Sequence, residues 1–220
     1  MVCWKTKARD EFDYWSKSYD RSPLQLLFFG PSHRLIFNSV SIPPGARVLD
    51  VGCGTGQFAA RLLDTYPEAS VVGLDLSEGM LQKAEGLKER YGDRLTLVHG
   101  DSENLPFDNN EFDLITCIHS FHHYPHQDRV LDEMYRVLSP SGELAIVDAN
   151  RDNPWGWLIF DCIVATIEGA VHHCSAEEFR KLGQQSGFAD IKQRYGGHVA
   201  PFMLTHAQAK KADVALREAA

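Results

Sequence analysis

Three glycines at alternate positions, Gly52, Gly54 and Gly56, follow Asp50 in the stretch Val48-Leu-Asp-Val-Gly-Cys-Gly-Thr-Gly56. Glycines so spaced strip side chains from a tight turn and let a ligand approach the backbone. The spacing is G-x-G-x-G. A dinucleotide loop reads G-x-G-x-x-G, and its third glycine is replaced here by Gln57. A carboxylate just ahead of the turn repels a pyrophosphate and suits a cationic ligand. Further on, Gly73-Leu-Asp75-Leu-Ser77 puts a second carboxylate where it can accept from both hydroxyls of a ribose. A solvated turn aspartate ahead of an N-cap serine is the plainer reading of that segment. In His99-Gly-Asp101-Ser102, Asp101 is an acceptor for an adenine amino group or, alternatively, an Asx-turn residue after Gly100.

Imidazoles concentrate in Ile118-His119-Ser-Phe-His122-His123-Tyr-Pro-His126, and again in His172-His173-Cys174. Histidine suits proton transfer near neutral pH, so His119, His122 and His123 are candidate catalytic bases. The other reading has them opening a helix or lining a pocket. His122, His123, His126, His172 and His173, with Cys174, could also ligate a transition metal, but nothing in the spacing fixes their mutual distance and no H-x3-H spacing within one helix appears in this group. No metal site is expected. Large aromatics flank this chemistry on both sides: Tyr14, Trp15, Tyr19, Phe28 and Phe29 before it, and Trp155, Trp157 and Phe160 after it. They form either a water-excluding cover over an apolar substrate or the core of a helical cap.

Strands and helices must position these residues. Apolar, β-branched runs at Arg47–Val51, Ser70–Leu74, Leu95–His99, Phe112–Ile118 and Glu143–Val147 read as strands, most of them covered on both faces. Helical spacing lies between them, at Phe58/Leu62/Tyr66, at Met80/Ala84/Leu87/Tyr91 behind Ser77, and at Val130/Met134/Val137. A helix is expected over 154–168. A capping box, Ser175 to Glu178, opens another that Gly187 ends. Phe188–Tyr195 and His198–Leu204 read as an antiparallel pair across Gly196-Gly197, and the tail from His206 as a polar helix. Alternating strands and helices make a doubly wound α/β sheet.

With 220 residues and 44% hydrophobic residues, the chain can bury a sizeable core unaided. A net charge of −8 argues against general nucleic-acid affinity. Five cysteines, none in C-x-x-C spacing, point to reduced thiols and the cytoplasm. The stretch MVCWKTKARDEFDYW has no apolar core of a secretory leader, and the most apolar segment, 155–165, is too short and too charged to span a membrane.

VLDVGCGTG, GLDLS, GDSENLPF, FDLITCIHSFHHY and YRVLSPSGELAIVD, in this order and spacing, resemble class I S-adenosylmethionine-dependent methyltransferases. The likeness is to the ubiquinone/menaquinone-biosynthesis (type 11) group, strong over residues 43–150 and looser at SAEEFRKLGQQSGF. It implies a mostly parallel seven-stranded Rossmann-like sheet with an N-terminal helical cap. It also implies S-adenosyl-L-methionine as cofactor, with S-adenosyl-L-homocysteine as product. Carried over by position, Asp50, Gly52, Cys53, Gly54 and Gly56 match the loop around the cofactor's methionine part. Asp75 matches the ribose ligand, Leu76 the contact beside the adenine, and Asp101 and Ser102 the adenine edge. Ile118 and His119 match the strand end near the sulfonium. One departure is Ser139-Pro-Ser-Gly142, where the family usually reads Lys-Pro-Gly-Gly; Pro140 and Gly142 are expected to keep the turn.

The expected activity is methyl transfer by in-line displacement to a small-molecule acceptor, with Tyr14, Tyr19 and Trp155 on the substrate side. An NAD(P)-dependent oxidoreductase shares the strand, turn and Asp75 pattern, but Gln57 and Asp50 count against it. A cofactor-binding module without turnover is the third reading. Residues 1–42 are expected to form the cap, 43–206 the catalytic domain with an insert at 150–175, and 207–220 a tail. Stable membrane insertion and a nucleic-acid partner are not expected, and monomer and homodimer both stay open.

Overall fold

The computed structural model of the protein describes residues 29–164, 171–197 and 200–211. Its elements follow in chain order as α1 (Gly30–Phe37), β1 (Arg47–Val51), α2 (Gln57–Thr65), β2 (Ser70–Asp75), α3 (Glu78–Ala84), α4 (Lys88–Tyr91), β3 (Leu95–His99), β4 (Phe112–Ile118), α5 (Gln127–Val137), β5 (Leu138–Ala149), α6 (Pro154–Trp157), α7 (Ala176–Gln185), β6 (Phe188–Gly196) and β7 (Phe202–Ala209). A 3-10 turn covers Phe121–His123, and α6 continues as a π-helical stretch over Leu158–Val164.

The seven strands lie in the order β3-β2-β1-β4-β5-β7-β6. The first five are parallel, and β7 runs antiparallel between β5 and β6. From β1 the chain winds outward through β2 to β3, then returns to lay β4 on the other side of β1. That reversal opens a crevice beyond the carboxyl ends of β1 and β4. Alternate side chains enter opposite faces, and both faces are buried. Leu49, Ile115, Cys117, Leu144 and Ile146 pack in one core layer, and Val48, Leu114, Ala145 and Val147 in the other. This is why these strands read as unbroken apolar runs.

Three of the five expected parallel strands match to the residue, and the other two run longer. β5 begins at Leu138, not Glu143, because Ser139-Pro-Ser-Gly142 is not a free turn. Phe112 pairs with Leu138 and Leu114 with Glu143, so the segment bulges within the strand and the register shifts around it. The expected helix from Met80 to Tyr91 divides into α3, a 3-10 turn at Glu85–Leu87, and α4. Ser77 caps α3 by accepting from the Met80 N–H at 3.1 Å. The Ser175–Glu178 capping box is present at the start of α7, and Gly187, at φ 100°, follows its end.

The largest revision lies near the C-terminus. β7 starts at Phe202 and runs to Ala209, so residues 206–209, expected to open a helix, are strand. His206 pairs with Ala145 and Lys192 on the two neighbouring strands. Two flanking ladders outweigh the helical preference of a short Ala/Gln stretch. On the N-terminal side, α1 packs Ile36 into the core layer of Val48 and Phe58.

Gly56 caps α2 in the left-handed region, at φ 77°. A Cβ there would lie 2.8 Å from Leu87 Cδ1. Gly56→Ala is expected to destabilise the fold by about 1–2 kcal/mol. The urea midpoint should fall with the m-value unchanged, and an unmoved midpoint would show that the turn tolerates a side chain.

Candidate active site

The turn after β1 is closed by its own backbone. Gly52 N–H and Cys53 N–H both donate to Leu74 O of β2, at 2.8 and 3.1 Å. Gly54 N–H donates to Asp75 Oδ2 at 2.8 Å, while Oδ1 of the same carboxylate accepts from Ser77 N–H at 2.9 Å. Asp75 is therefore held by two main-chain donors, one on each carboxylate oxygen. A Cβ on Gly54, where φ is 54°, would meet nothing within 4 Å, so this glycine leaves real open space. Gly73, under the turn, must also be small: a Cβ there would lie 2.9 Å from Cys53 Sγ.

A cleft of about 1060 Å³, counting its open mouth, lies over this turn. Asp50, Gly52, Cys53, Gly54, Asp75, Leu76, Asp101, Ser102 and Ile118 all line it. Gly56 does not; its work is the turn into α2. Asp101 Oδ1 accepts from Glu103 N–H at 3.0 Å, so the Asx-turn geometry and the cleft position coexist in one residue. Asp50 is buried and takes a 2.7 Å hydrogen bond from the Thr116 hydroxyl of β4. Burial pushes its carboxyl up to about 7, Thr116 works against that, and Asp75 adds to it. The turn is thus less anionic, when no cation is near, than its two carboxylates suggest.

The three candidate bases separate. His119, at φ 51°, bends the chain at the end of β4. Its Nε2 shares a 2.8 Å hydrogen bond with Ser32 Oγ of α1, and its ring stands edge-on to Phe29 and Phe202. Desolvation pulls its pKa down to about 4, so the ring is neutral. His123 also lines the cleft, and burial holds it well below the usual imidazole range. His122 is absent from the cleft wall. Its backbone N–H donates to Asp148 Oδ2 at 2.9 Å and its Nδ1–H to Asp148 Oδ1 at 2.6 Å. The His122 ring packs tilted against His123, at 45° with centroids 4.1 Å apart.

The structure also supplies residues that sequence reasoning missed. α1 brings His33 to the cleft, buried against Phe58 and held down to about 3 by desolvation. Their signal was the helical spacing of Phe29, Ser32, His33 and Ile36. Tyr124, whose hydroxyl pairs with Ser120 Oγ at 2.8 Å, closes another part of the wall. Asp148 gives no local signal, and His173, though singled out within His172-His173-Cys174, gives none of its meeting with His122, which is tertiary. Tyr14, Trp15, Tyr19 and Phe28 lie outside the described residues. Trp155 and Trp157 are 54% and 50% exposed and line no part of the cleft, whereas Phe160 is buried beside His173.

A family model described as "Methyltransferase domain" matches residues 48–142. Demethylmenaquinone methyltransferase from Staphylococcus carnosus is 32% identical over 193 residues, covering 84% of this chain and 78% of that one. The chain belongs to the class I S-adenosylmethionine-dependent methyltransferases of the ubiquinone/menaquinone type. The enzyme of the same description from Listeria welshimeri is 36% identical over 155 residues, 69% of this chain. The match spans 66% of that relative, just under two thirds of its length. Among solved structures, a Haloferax volcanii methyltransferase in complex with the Trm112 activator superposes with a TM-score of 0.80 at 21% identity, over 93% of this chain and 98% of that one. Phosphoethanolamine N-methyltransferase 2 of Haemonchus contortus, bound to S-adenosylhomocysteine, gives 0.76 at 16% identity, over 96% and 61%. These likenesses confirm the seven-stranded methyltransferase fold.

Buried titratable groups set a pH signature for this family member. The unfolded chain binds protons near 6.5 that folded His33 and His119 refuse until about 3 and 4. Stability is therefore expected to fall as pH drops from 6.5 toward 4. Asp50 acts in the opposite sense: its folded form keeps a proton up to about 7 that the unfolded chain releases near 3.8, which erodes stability as pH rises between those values. Thermal melts of Asp50→Asn against the parent should show the variant gaining relative stability across pH 4–7. A pH-independent difference would contradict a raised Asp50.

Proposed function

We propose that this chain is a methyltransferase that binds S-adenosyl-L-methionine in the cleft and methylates a quinone-type small molecule in its reduced, hydroquinone form. The observation that carries the reading is the Asp75 carboxylate, held by Gly54 N–H and Ser77 N–H on the cleft wall beside the glycine turn. A carboxylate at this strand end suits the two hydroxyls of a ribose. Asp101 and Ser102 face the adenine, and Leu76 supplies the apolar contact. Asp50, near neutrality, gains full charge when a cation sits beside it, which suits a sulfonium better than a pyrophosphate. That balance, and Gln57 in place of a third glycine, disfavour a nicotinamide dinucleotide.

The cofactor, when bound, supplies an electrophilic methyl group. The protein's residues have to hold the acceptor in line, keep water out and take its proton. A quinone ring carbon is electrophilic and cannot attack a methyl cation donor, whereas the ring carbon of a hydroquinone, made electron-rich by an ionising hydroxyl, can. Demethylmenaquinone methyltransferases are among the relatives, and another, the Mycobacterium leprae phthiotriol/phenolphthiotriol dimycocerosates methyltransferase, is 42% identical over 51% of this chain. Phe29 and the neutral rings of His33, His119 and His123 give the cleft an aromatic end fitted to a flat, apolar acceptor. We assign proton acceptance to His123, whose ring packs against His122, itself oriented by Asp148. His119 serves orientation, its Nε2 being engaged by Ser32.

Cys53, Cys117, Cys162 and Cys174 are free thiols, which supports a reducing, cytoplasmic setting. Among the described residues no helix is long and apolar enough to cross a membrane.

Calorimetry with S-adenosylhomocysteine is expected to give micromolar binding. Asp75→Asn should weaken it by about 1.5–3 kcal/mol, the range for a charge-assisted hydrogen bond. No heat from correctly folded protein would reject the cofactor reading. Labelled methyl should pass from the cofactor to demethylmenaquinol and not to its oxidised form. His123→Ala is expected to cut kcat by roughly 10²–10⁴ while S-adenosylhomocysteine affinity holds. An unchanged kcat would remove His123 from proton transfer.

A further inference from the structure

Behind the cleft wall lies a second cluster that methyl transfer does not use in full. His122, Asp148 and His173 are all buried, and one donor atom from each lies within 4.8 Å of the other two. They come from three separate segments: the turn after β4, the end of β5, and the stretch leading into α7. The His122 and His173 rings lie 4.6 Å apart, centroid to centroid, at an interplanar angle of 32°.

The surroundings hold this cluster in place. Gln127, the first residue of α5, donates through Nε2 to Phe121 O at 3.0 Å and to His172 O at 2.9 Å, and accepts from Cys174 Sγ at 3.1 Å. His172 N–H donates to His122 O at 2.9 Å, and Arg151 donates to His173 O at 3.0 Å. Main chain on both sides of His173 is thus tied to the turn that carries His122. The Cys174 thiol points at Gln127, which leaves two imidazoles and one carboxylate as the donor set.

We propose that His122, Asp148 and His173 form a binding site for a divalent transition-metal ion of the zinc class. Two imidazoles and a carboxylate are a donor set that zinc accepts, with a fourth position left for water or another oxygen. Zinc bonds to such donors are about 2.0–2.2 Å, so donors on one ion sit no more than about 4.4 Å apart. The separations here exceed that by a few tenths of an ångström at most, within reach of small side-chain rotations. Ligation through His122 Nδ1 replaces the hydrogen bond to Asp148, and the imidazole's single proton moves from Nδ1 to Nε2, so His122 binds as a neutral imidazole and Asp148 as an anion. Bound, the ion ties the β4 turn, the β5 end and the approach to α7 together. It also sits one ring away from the cleft, since the His123 ring packs tilted against His122 and lines the wall. The site does not depend on the methyl-transfer reading, because its donors need no cofactor to assemble.

The test uses the full chain, stripped with chelator and desalted, with Zn²⁺ and Co²⁺ alone as probes. One equivalent of Zn²⁺ is expected to bind and to raise the thermal midpoint, and bound Co²⁺ should show visible d–d absorption of a four- or five-coordinate site. His173→Gln and Asp148→Asn should each weaken Zn²⁺ binding by at least about tenfold. Circular dichroism of the metal-free variants checks folding; should Asp148→Asn fail to fold, His173→Gln decides alone. His172→Gln, altering the exposed neighbour, should leave binding intact. Absence of both binding and Co²⁺ absorption overturns the site. Retention of full affinity in His173→Gln also overturns it, because the ion then sits elsewhere, on exposed histidines. These readouts involve neither S-adenosylhomocysteine nor methyl transfer, so they stand or fall apart from the proposed function.

Discussion

The bond from Gly54 N–H to Asp75 is the contact on which the cleft depends. It joins the turn after β1 to the end of β2, and with Ser77 N–H on the other oxygen it aims a carboxylate along the crevice. Lengthening this bond would let the glycine turn open and the carboxylate rotate toward solvent. The neighbours enforce it. Gly52 and Cys53 are pinned to Leu74 O, and Gly73 has no side chain, so Cys53 can lie across β2. Three glycines and one aspartate thus act as a unit, each meaningful only because the others are present.

Across the switch point the wall is of a different kind. Where the β1 and β2 ends offer carboxylates and bare backbone, the β4 end offers neutral imidazoles and aromatic rings. Desolvation is what keeps those imidazoles neutral: His33 and His119 are pressed against phenylalanines, and their pKa values fall accordingly. The cleft is therefore polarised along its length, with carboxylates at one end and neutral aromatic rings at the other. His122 stands apart from both ends, since the buried Asp148 carboxylate takes both its backbone N–H and its Nδ1–H.

Much of this was legible along the chain. The cores of β1, β2 and β4 could be read because each is buried on both faces and so leaves a nearly continuous apolar run. Ser77 and the Ser175–Glu178 box could be read because capping is a local hydrogen-bond problem, solved within three residues. β5 and β7 were misjudged for the opposite reason. The bulge at Ser139–Gly142 and the strand at His206–Ala209 exist only because neighbouring strands supply hydrogen-bond partners that no local pattern records.

The order of glycines and carboxylates alone determined that this protein carries a turn and an acidic strand end suited to a cationic nucleoside, since both depend on residues a few positions apart. Tertiary structure decided how the histidines divide. It sent His119 toward Ser32 of α1, kept His123 on the cleft wall, and turned His122 inward to Asp148 and His173. Those choices rest on contacts spanning 26 to 87 positions. Only the closing of the sheet and the packing of helices on it bring such distant groups together.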